Sequence, residues 1–445
     1  LYVAGFIKEK TGHQVSLIDA DALSLGHEEL MSRIKEINPQ MIGLTVTTHT
    51  LYDSAKTVKM IKNTFPDISI VLGGPHVTLF PKESAMLEGV DFCISGEGEI
   101  PFAMLADTLE KGSDLSVIPG LSYFEKGTVK INDENHFVSD INMLPFPARE
   151  ISNIELYRTV LSDKFPVTSM ITSRGCPYKC SFCDRPLLKG GKWRSISAES
   201  VVREMEECRK LGIKEIAVYD DTFSVDRLRA LEICRLKKAV GNDLNFSIRT
   251  RADLVDEELI KALKDAGCTA IHFGVESGSE TVLERMNKQF SLEKVLNSCE
   301  LAKKYGLEVL TYFMIGNPGE KADDIEKTGN LIKKIDPDYL HLTILMPFPG
   351  TEVYNEMLNT GMLRSDVWRE FAKAPLIDFN PPVWTENFSE IDLIKIRHKF
   401  YRSFYFRPVY IFKQIAKIKS YRDFVKKFLK GLQIFTFFIQ NKFIN

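Results

Sequence analysis

Residues 174–183 read Arg-Gly-Cys-Pro-Tyr-Lys-Cys-Ser-Phe-Cys, and they directly follow the apolar run Val167–Ile171. Three thiolates on one short loop can bind three irons of a [4Fe–4S] cluster, which leaves the fourth iron open to another ligand. An iron with an open position is a site for chemistry, whereas a cluster held by four thiolates usually only carries electrons. This stretch therefore predicts a reactive iron–sulfur centre on a loop that follows a β-strand.

Zinc binding and disulfide formation are less favoured interpretations of the cysteines. Zinc ribbons carry paired CxxC arms, and no second pair is present here. A disulfide framework is not expected in a chain this long with so few cysteines. The five other cysteines are scattered singly and are predicted to be buried thiols; they are Cys93, Cys208, Cys234, Cys268 and Cys299.

The bulk composition is that of a globular protein. The 445 residues suffice for two or three domains, and 44% of them are hydrophobic and 27% charged. Unpaired thiols and an oxygen-sensitive cluster favour a reducing, cytoplasmic location. No signal peptide and no apolar run of membrane-spanning length is evident. Since the chain begins at Leu1 in an already helical pattern, we expect that a preceding strand is missing.

Residues 1–140 are predicted to form a doubly wound, Rossmann-like α/β domain, because short apolar runs alternate with helical patterns. Ligands bind such sheets at the carboxyl ends of the strands, where the turns Gly73-Gly74-Pro75-His76 and Gly96-Glu97-Gly98-Glu99 fall. Residues 112–150 look irregular, and the proline-containing segment 141–165 is predicted to be a linker. The predicted strands are Gln14–Asp19, Met41–Val46, Ile68–Leu72 and Phe92–Ile94.

Residues 166–365 contain a second strand–helix series that predicts a partial (β/α)6 barrel, with active groups on the loops after the strands. A helical tail at 366–445 follows. The predicted strands are Val167–Thr172, Glu215–Tyr219, Asn245–Arg249, Ala270–Val275, Glu308–Met314 and Tyr339–Leu345.

Polar or glycine-containing groups end most of the later barrel strands. One isolated acid at a strand end is more often a helix cap or a surface charge than a ligand. Acids and an arginine around one barrel mouth, however, suit a zwitterionic ligand, since carboxylates bind ammonium and hydroxyl groups and arginine binds a carboxylate. The acids and the arginine are Asp220, Asp221, Glu276 and Arg249, and the strand ends also carry Ser277 and the turn Ile315-Gly316.

With these features the chain resembles the radical S-adenosylmethionine (SAM) enzymes, whose signature is CxxxCxxC with an aromatic residue before the last cysteine. The resemblance implies that Cys176, Cys180 and Cys183 bind the cluster and that SAM chelates the open iron. It further implies SAM contacts by Phe182 and the Ile315–Gly316 turn to the adenine, Asp220 or Asp221 to the amino group, Arg249 to the carboxylate, and Glu276 and Ser277 to the ribose.

The N-terminal half resembles the cobalamin-binding domain of the B12-dependent class, which includes the anaerobic magnesium-protoporphyrin cyclase and hopanoid methylases. The cobalt-ligating D-x-H-x-x-G pattern is absent, so the resemblance implies cobalamin without a histidine ligand. Plain turn chemistry remains the alternative for the glycines, and packing remains the alternative for His76. Methylthiotransferases are rejected, because their N-terminal domain holds three cysteines and this one holds only Cys93. The implied contacts are Thr45, Thr47, Gly73, Gly74, Pro75, His76, Gly96, Glu97 and Gly98.

The resemblance implies an enzyme that cleaves SAM to a 5′-deoxyadenosyl radical and methylates an unactivated carbon of a small-molecule or lipid-like substrate. An electron donor such as flavodoxin or ferredoxin would serve the cluster. The alternatives are a cobalamin-dependent radical cyclase or oxidase without methyl transfer and, from a different class, a non-catalytic iron–sulfur carrier or cobalamin sensor.

The tail is basic and aromatic, with 13 Lys and Arg residues against Asp392 and Asp423 in residues 391–445. Segments such as Phe400–Pro408 and Phe424–Phe443 can lie on anionic lipid at the inner face of the membrane. They can also pack on the barrel as a cap, and the two interpretations are compatible. No recognised RNA-binding module is present, so no nucleic-acid partner is expected.

Overall fold

The computed structural model describes residues 1–132, 136–159, 161–188, 190–416 and 425, and it is built from two mainly parallel sheets covered by helices. The strands are β1 (Met41–Thr45), β2 (Ser69–Gly73), β3 (Phe92–Ile94), β4 (Leu121–Glu125), β5 (Thr128–Ile131), β6 (Val167–Met170), β7 (Ser173–Arg174), β8 (Arg194–Ser195), β9 (Glu215–Val218), β10 (Asn245–Thr250), β11 (Cys268–Glu276), β12 (Glu308–Ile315) and β13 (Tyr339–Ile344).

The α-helices connect these strands and continue beyond the second sheet. They are α1 (Tyr2–Lys10), α2 (His27–Ile37), α3 (Leu51–Thr64), α4 (Pro75–Leu79), α5 (Pro81–Ala85), α6 (Glu99–Lys111), α7 (Arg185–Leu188), α8 (Ala198–Lys210), α9 (Arg227–Ala239), α10 (Glu257–Asp265), α11 (Glu280–Arg285), α12 (Leu292–Lys304), α13 (Ala322–Ile335), α14 (Glu352–Asn359), α15 (Val367–Lys373), α16 (Glu390–Tyr405) and α17 (Pro408–Ala416).

The N-terminal sheet has the order β1-β2-β3-β4-β5, and its first three strands are parallel. Successive residues of β2 face opposite sides. Leu72 packs with Val58 of α3 in one core, whereas Val71 packs with Leu105 of α6 in another. Because helices cover both faces, the predicted doubly wound domain is confirmed.

Two details of this domain differ from the sequence prediction. Residues 112–150 contain the antiparallel hairpin β4–β5, whose turn residues Lys126 and Gly127 both have positive φ, as a tight hairpin requires. Residues Gln14–Asp19 do not form a strand, so that prediction is wrong. Among the described strands β1 pairs only with β2, and Ile18 is partly buried by packing on the domain core instead of by strand pairing.

The second sheet is a curled half-barrel with the order β6-β9-β10-β11-β12-β13, and every adjacent pair is parallel. Alternate residues face outward into the helices, as Phe246 and Ile248 do in β10. Ser247 and Arg249, between and after them, line the lumen. The predicted six-stranded partial barrel is therefore confirmed.

Helix α16 covers the open edge of the half-barrel. The hydroxyl of Tyr401 donates to the carbonyl of Leu342 and accepts from its N–H, both at 3.0 Å. Tyr405 does the same for Leu340, at 2.9 and 3.2 Å. Hydroxyl groups thus occupy edge backbone groups that would otherwise be free to pair with another strand. This part of the tail packs as a cap, whereas Phe424–Phe443 lies outside the described residues apart from Val425.

Helix α15 joins the two halves of the molecule. Phe371 is buried in the N-terminal core, and Arg369 forms an ion pair of 2.6 Å with Glu83 of α5.

No helix in the described part of the chain is both long and apolar enough to cross a bilayer. All five cysteines outside the CxxxCxxC loop are buried, as predicted.

Candidate functional site

The three cysteines of the signature lie on a loop that is closed at its base by two short strands. Strand β7 pairs with β8, so that Arg174 faces Arg194 directly across the ribbon. Gly175 has φ of +85°, and a Cβ there would lie 2.2 Å from the carbonyl oxygen of Lys192. Only glycine fits this close approach. The three thiols above it are half-buried.

Residues of the opposite barrel wall hold the cluster loop in place. Ser181 donates its N–H to the carbonyl of Met286 at 3.0 Å, and Asn287 donates its side-chain amide to the carbonyl of Lys179 at 2.7 Å. Val353 donates to the carbonyl of Ser181 at 3.2 Å. The backbone of the loop is thus held by hydrogen bonds with the residues that follow α11 and with the first turn of α14.

Arg251 is a functional candidate that the sequence analysis did not single out. Its guanidinium lies 3.9 Å from the ring centroid of Tyr178, inside the cysteine loop. Asp253 accepts two hydrogen bonds from it, at 2.9 and 3.0 Å, which fixes its orientation. The signal available in the sequence was Arg249-Thr250-Arg251, in which Arg249 lies near the end of β10 and Arg251 directly follows the strand.

Burial and nearby positive charges shift the pKa values of the loop cysteines in opposite directions. Burial raises the pKa of Cys183 to about 12. Burial also raises the pKa of Cys180, while the positive charges of Lys288 and Arg251 act in the opposite direction. Cluster binding requires thiolates. No three His, Cys, Asp or Glu side chains of the described residues converge on a single ion, and thiolates that each bind a different iron need not do so.

The two neighbouring aspartates after β9 have different environments. Asp220 is 1% exposed and accepts four hydrogen bonds, from the N–H and hydroxyl groups of Thr172 and Ser173, at 2.6 to 3.1 Å. Asp221 lies 3.6 Å from Arg185 of α7. Asp220 therefore anchors the segment that leads into the cluster loop.

The polar residues after β11 also divide into two roles. Glu276 has φ of +69°, and its carboxylate lies 2.6 Å from the ammonium of the buried Lys288. Ser277 is fully buried, and its hydroxyl accepts from the N–H of Ser279 at 3.1 Å. Of the two, Glu276 is the one with solvent-facing surface at the mouth of the barrel.

The turn after β12 is organised by a buried carboxylate. Glu320 accepts hydrogen bonds from the N–H groups of Gly316 and Asn317, at 2.6 and 3.0 Å. Burial raises the pKa of Glu320 to about 7 against these hydrogen bonds. Ile315 is buried at the end of the strand, and Phe182 packs on the apolar cluster that contains Met314. Phe182 and this turn are thereby brought to one side of the mouth.

A row of polar side chains crosses the lumen, with one residue from each of five adjacent strands or strand ends. Arg249 stacks on Tyr219 at 3.8 Å, His272 lies 3.3 Å from the hydroxyl of Tyr312, and the rings of Tyr312 and His341 are 5.3 Å apart. Burial, with the charge of Arg249, lowers the pKa of His272 to about 4. We call Tyr219, Arg249, His272, Tyr312 and His341 the lumen row.

The strand-end turns of the N-terminal domain lie side by side, because Gly73 pairs in register with both Thr45 and Ile94. Gly74 has φ of +99°, and Thr47 caps the short turn that ends at Thr50. The buried His76 contacts the Thr48 hydroxyl through Nδ1 at 3.2 Å. Burial lowers its pKa to about 4.

The second turn, Gly96–Glu99, faces the cluster loop. Gly96 has φ of +80°, and a Cβ there would lie 2.2 Å from the carbonyl oxygen of His136. Glu97 accepts from Arg194 at 2.8 and 3.0 Å and lies 3.1 Å from Arg174, which also binds Glu99 at 2.6 Å. Burial opposes ionisation of Glu97, but these arginines outweigh it and lower the pKa. The arginines therefore engage both oxygens of Glu97.

The donor set suits the cofactors that the sequence implies. Three half-buried thiols share one loop, beside cations that favour thiolates. His76 Nε2 and His136 Nε2 in the N-terminal domain, and Trp193 Nε1 just before β8, are buried and have no hydrogen-bond partner among the described residues. Buried polar nitrogens normally have partners, and the amide-rich periphery of a corrin would supply them.

Comparison with known proteins follows the same division of the chain. The radical SAM superfamily model matches residues 170–332, and the B12-binding domain model matches residues 1–106. A protein of Pyrococcus horikoshii that is named an uncharacterized methyltransferase is 34% identical over 434 residues, which cover 97% of this chain and 92% of that protein.

Two further relatives bear on the predicted class. The anaerobic magnesium-protoporphyrin IX monomethyl ester cyclase of Rubrivivax gelatinosus is 25% identical and covers 80% of this chain and 65% of its own length. The structure of the cobalamin-dependent SAM radical enzyme OxsB, with aqua-cobalamin and SAM bound, superposes with a TM-score of 0.74 at 19% identity. It covers 97% of this chain and 67% of that one. The predicted fold and resemblance are confirmed.

Proposed function

The chain belongs to the cobalamin-dependent radical SAM enzymes, and on that basis we propose that it is a C-methyltransferase for a small-molecule substrate. The observation that carries this proposal is that the cysteine loop and the glycine turns of the N-terminal sheet face each other through Arg174, Glu97 and Glu99. Two cofactor sites in direct contact suit a reaction in which a radical formed at one site is methylated from the other.

When bound, the cluster and SAM supply hydrogen abstraction from carbon and cobalamin supplies a methyl group, chemistry that belongs to the cofactors. Cys176, Cys180 and Cys183 hold the cluster. Because Asp220 is saturated by Thr172 and Ser173, Asp221 is the better of the two carboxylates for the SAM amino group. A reductant such as flavodoxin or ferredoxin serves the cluster.

The remaining SAM contacts follow from the geometry of the mouth. Arg249 has no carboxylate partner among the described residues, and in this proposal it binds the carboxylate of SAM. Glu276, held by Lys288 at 2.6 Å, accepts from the ribose hydroxyls, since Ser277 is fully buried. The Ile315–Gly316 turn and Phe182 border the adenine.

Cobalamin lies across the strand ends of the N-terminal sheet in this proposal. Gly73 and Gly98 allow the backbone to approach the corrin, whereas Gly74 and Gly96 give the two turns their positive φ. Thr45, Thr47 and Pro75 border the same edge, and His76 Nε2 supplies a buried nitrogen without a described partner. Glu97 acts through the two arginines and does not contact the cofactor.

The lumen row indicates what kind of substrate fits. Burial keeps His272 neutral, and the row offers hydrogen bonds across the floor of the site. A purely hydrocarbon substrate would cover the row without supplying partners for its remaining hydrogen-bonding positions, at a cost in binding. We therefore favour a substrate with hydrogen-bonding or anionic groups over an isoprenoid. Substitution of Tyr312 by Phe is expected to raise KM for such a substrate more than it lowers kcat.

The central experiment does not require knowledge of the substrate. Cluster-loaded protein is incubated anaerobically with hydroxocobalamin, a chemical reductant and methyl-labelled SAM. We expect 5′-deoxyadenosine, and labelled methyl on cobalamin, both measured by liquid chromatography. Cys176→Ala should abolish 5′-deoxyadenosine formation, whereas Cys234→Ala, a buried thiol outside the loop, should retain it.

The outcomes separate the candidate functions. Formation of 5′-deoxyadenosine without methyl transfer to cobalamin would favour the cyclase or oxidase alternative, to which the cyclase relative lends weight. Absence of both products would leave a non-catalytic carrier or sensor. With a substrate in hand, methylation consumes two SAM molecules per product, one for the radical and one for the methyl group.

Peripheral membrane contact is a separate part of the proposal. Val409, Ile411, Phe412 and Ile415 of α17 are all exposed, and apolar residues beside lysines suit an anionic lipid surface. Vesicles that contain phosphatidylglycerol should sediment the intact chain, and Phe412→Asp should weaken this. Equal sedimentation of both proteins, or of neither, would contradict the contact.

A further inference from the structure

One carboxylate holds both ends of the cluster loop. Arg174 on β7 precedes the segment that carries the three cysteines, and Arg194 on β8 follows it. Both arginines bind Glu97, Arg194 at 2.8 and 3.0 Å and Arg174 at 3.1 Å. Glu99 holds the second nitrogen of Arg174 at 2.6 Å. We call Arg174, Arg194, Glu97 and Glu99 the clamp.

The clamp residues are nearly buried, and the protein around them fixes the geometry of their ion pairs. Glu97 is 9% exposed, Glu99 4% and Arg174 8%. Ion pairs in such an environment are screened little by solvent, and removal of one partner leaves an uncompensated buried charge. A shift of the turn that carries Glu97 must therefore be followed by both strands of the ribbon.

The same turn belongs to the edge where cobalamin is proposed to bind. Gly96 and Gly98 flank Glu97, and Glu97 donates its N–H to the carbonyl of His136 at 2.7 Å. His136 and Trp193, the residue before Arg194, each present a buried nitrogen without a partner among the described residues. A ligand that orders this turn necessarily acts on residues that hold the cluster loop.

We propose that Glu97 is a positioning residue that couples cobalamin binding to ordering of the cluster loop, so that each cofactor site is completed by occupation of the other. This inference rests on the proposed function, since it requires both cofactors. Coupling of this kind is reciprocal, because it is a property of the equilibrium between the two sites. Cobalamin should therefore bind more tightly to cluster-loaded protein than to cluster-free protein.

The test measures the dissociation constant of hydroxocobalamin by absorbance titration, in cluster-free and cluster-loaded protein. In the wild type we expect the cluster to tighten binding by about 5- to 100-fold, the usual range for coupled sites. In Glu97→Gln the ratio should fall towards one. Equal dissociation constants for the two wild-type forms would overturn the inference.

Glu83→Gln is a matched control. Glu83 is 5% exposed and binds the half-exposed Arg369 at 2.6 Å, so a buried glutamate again forms an ion pair between the N-terminal domain and the rest of the chain. That pair joins α5 to α15 and does not touch the cluster loop. Glu83→Gln should lower stability and leave the ratio of dissociation constants unchanged; a ratio reduced as in Glu97→Gln would count against the inference.

A second measurement does not depend on cluster loading. Hydrogen–deuterium exchange of residues 176–188 in cluster-free protein should slow when hydroxocobalamin is added. Arg194→Lys, which keeps the charge but loses the forked contact, should weaken this response and serves if Glu97→Gln does not fold. Unchanged exchange in the wild type would contradict the coupling alone, whereas failure of cobalamin to bind either form would contradict the proposed function.

Discussion

Asp220 accepts two hydrogen bonds of 2.6 Å from Thr172, one from its backbone N–H and one from its hydroxyl. Thr172 precedes β7 and the cluster loop by a few residues. The Asp220 carboxylate, which follows β9, therefore fixes the position at which the chain leaves the neighbouring strand β6 and turns towards the cysteines. This relationship separates the roles of Asp220 and Asp221, which the sequence presents as equivalent.

Asp220→Asn should lower the iron content and the stability of the protein. In asparagine the amide oxygen can keep the two backbone N–H groups, but the NH2 group then faces the hydroxyls of Thr172 and Ser173, which must accept where they now donate. With the charge-assisted bonds lost, the cost is about 1–3 kcal/mol. Asp221→Asn should instead weaken SAM binding with the cluster retained. Iron analysis, thermal unfolding and equilibrium binding of SAM distinguish the two; normal iron content in Asp220→Asn would refute the assignment.

Arg251→Lys should reduce cluster occupancy. Lysine keeps the positive charge but loses the planar stack on Tyr178 and the paired hydrogen bonds to Asp253, a loss of about 1–2 kcal/mol at the loop. The measurement is iron and sulfide per chain with the electron paramagnetic resonance spectrum of the reduced protein. Arg235→Lys, at an exposed pair on α9, provides the comparison and should match the wild type.

Glu320 should make stability depend on pH. Its pKa rises from 4.5 to about 7 on folding, so the folded state binds more protons between these values than the unfolded state. The contribution of Glu320 to the free energy of unfolding is therefore fully present below pH 4.5 and is lost as the pH rises through 7, by on the order of 3 kcal/mol. In anaerobic urea unfolding from pH 5.5 to 7.5, the wild type should lose stability relative to Glu320→Gln. Parallel curves would show that the carboxyl group does not titrate there.

Tyr401→Phe should destabilise the barrel through its edge. The hydroxyl satisfies both backbone groups of Leu342, and its removal should cost about 1–3 kcal/mol of unfolding free energy. Tyr305→Phe removes a hydroxyl from an exposed pair with Glu257 and should have little effect. Chemical denaturation of both variants tests this, and an equal response would mean that α16 does not protect the edge.

Most strands and helices could be predicted from the sequence because the patterns that indicate them depend on the local spacing of apolar residues. Apolar runs of strand length alternate with helical patterns, and every one of the six barrel strands lies within two residues of its predicted bounds. The hairpin β4–β5 was not predicted although Lys126-Gly127 marks its turn. Its strands are only five and four residues long, so each gives a short pattern despite its apolar residues. Gln14–Asp19 was misassigned because an apolar run does not reveal whether a neighbouring strand is available.

The chemistry of the cysteine loop could be predicted from the sequence alone, since three thiols at this short spacing form the ligand set of a [4Fe–4S] cluster with one open iron. Which strand-end groups remain free for a ligand was decided only by the tertiary structure. Asp220 and Glu97 stand at predicted ligand positions, yet each is taken by residues distant in the chain, Thr172 for the one and Arg174 and Arg194 for the other. The physical reason is that a carboxylate binds the donors nearest to it in space, and spacing along the chain does not reveal them.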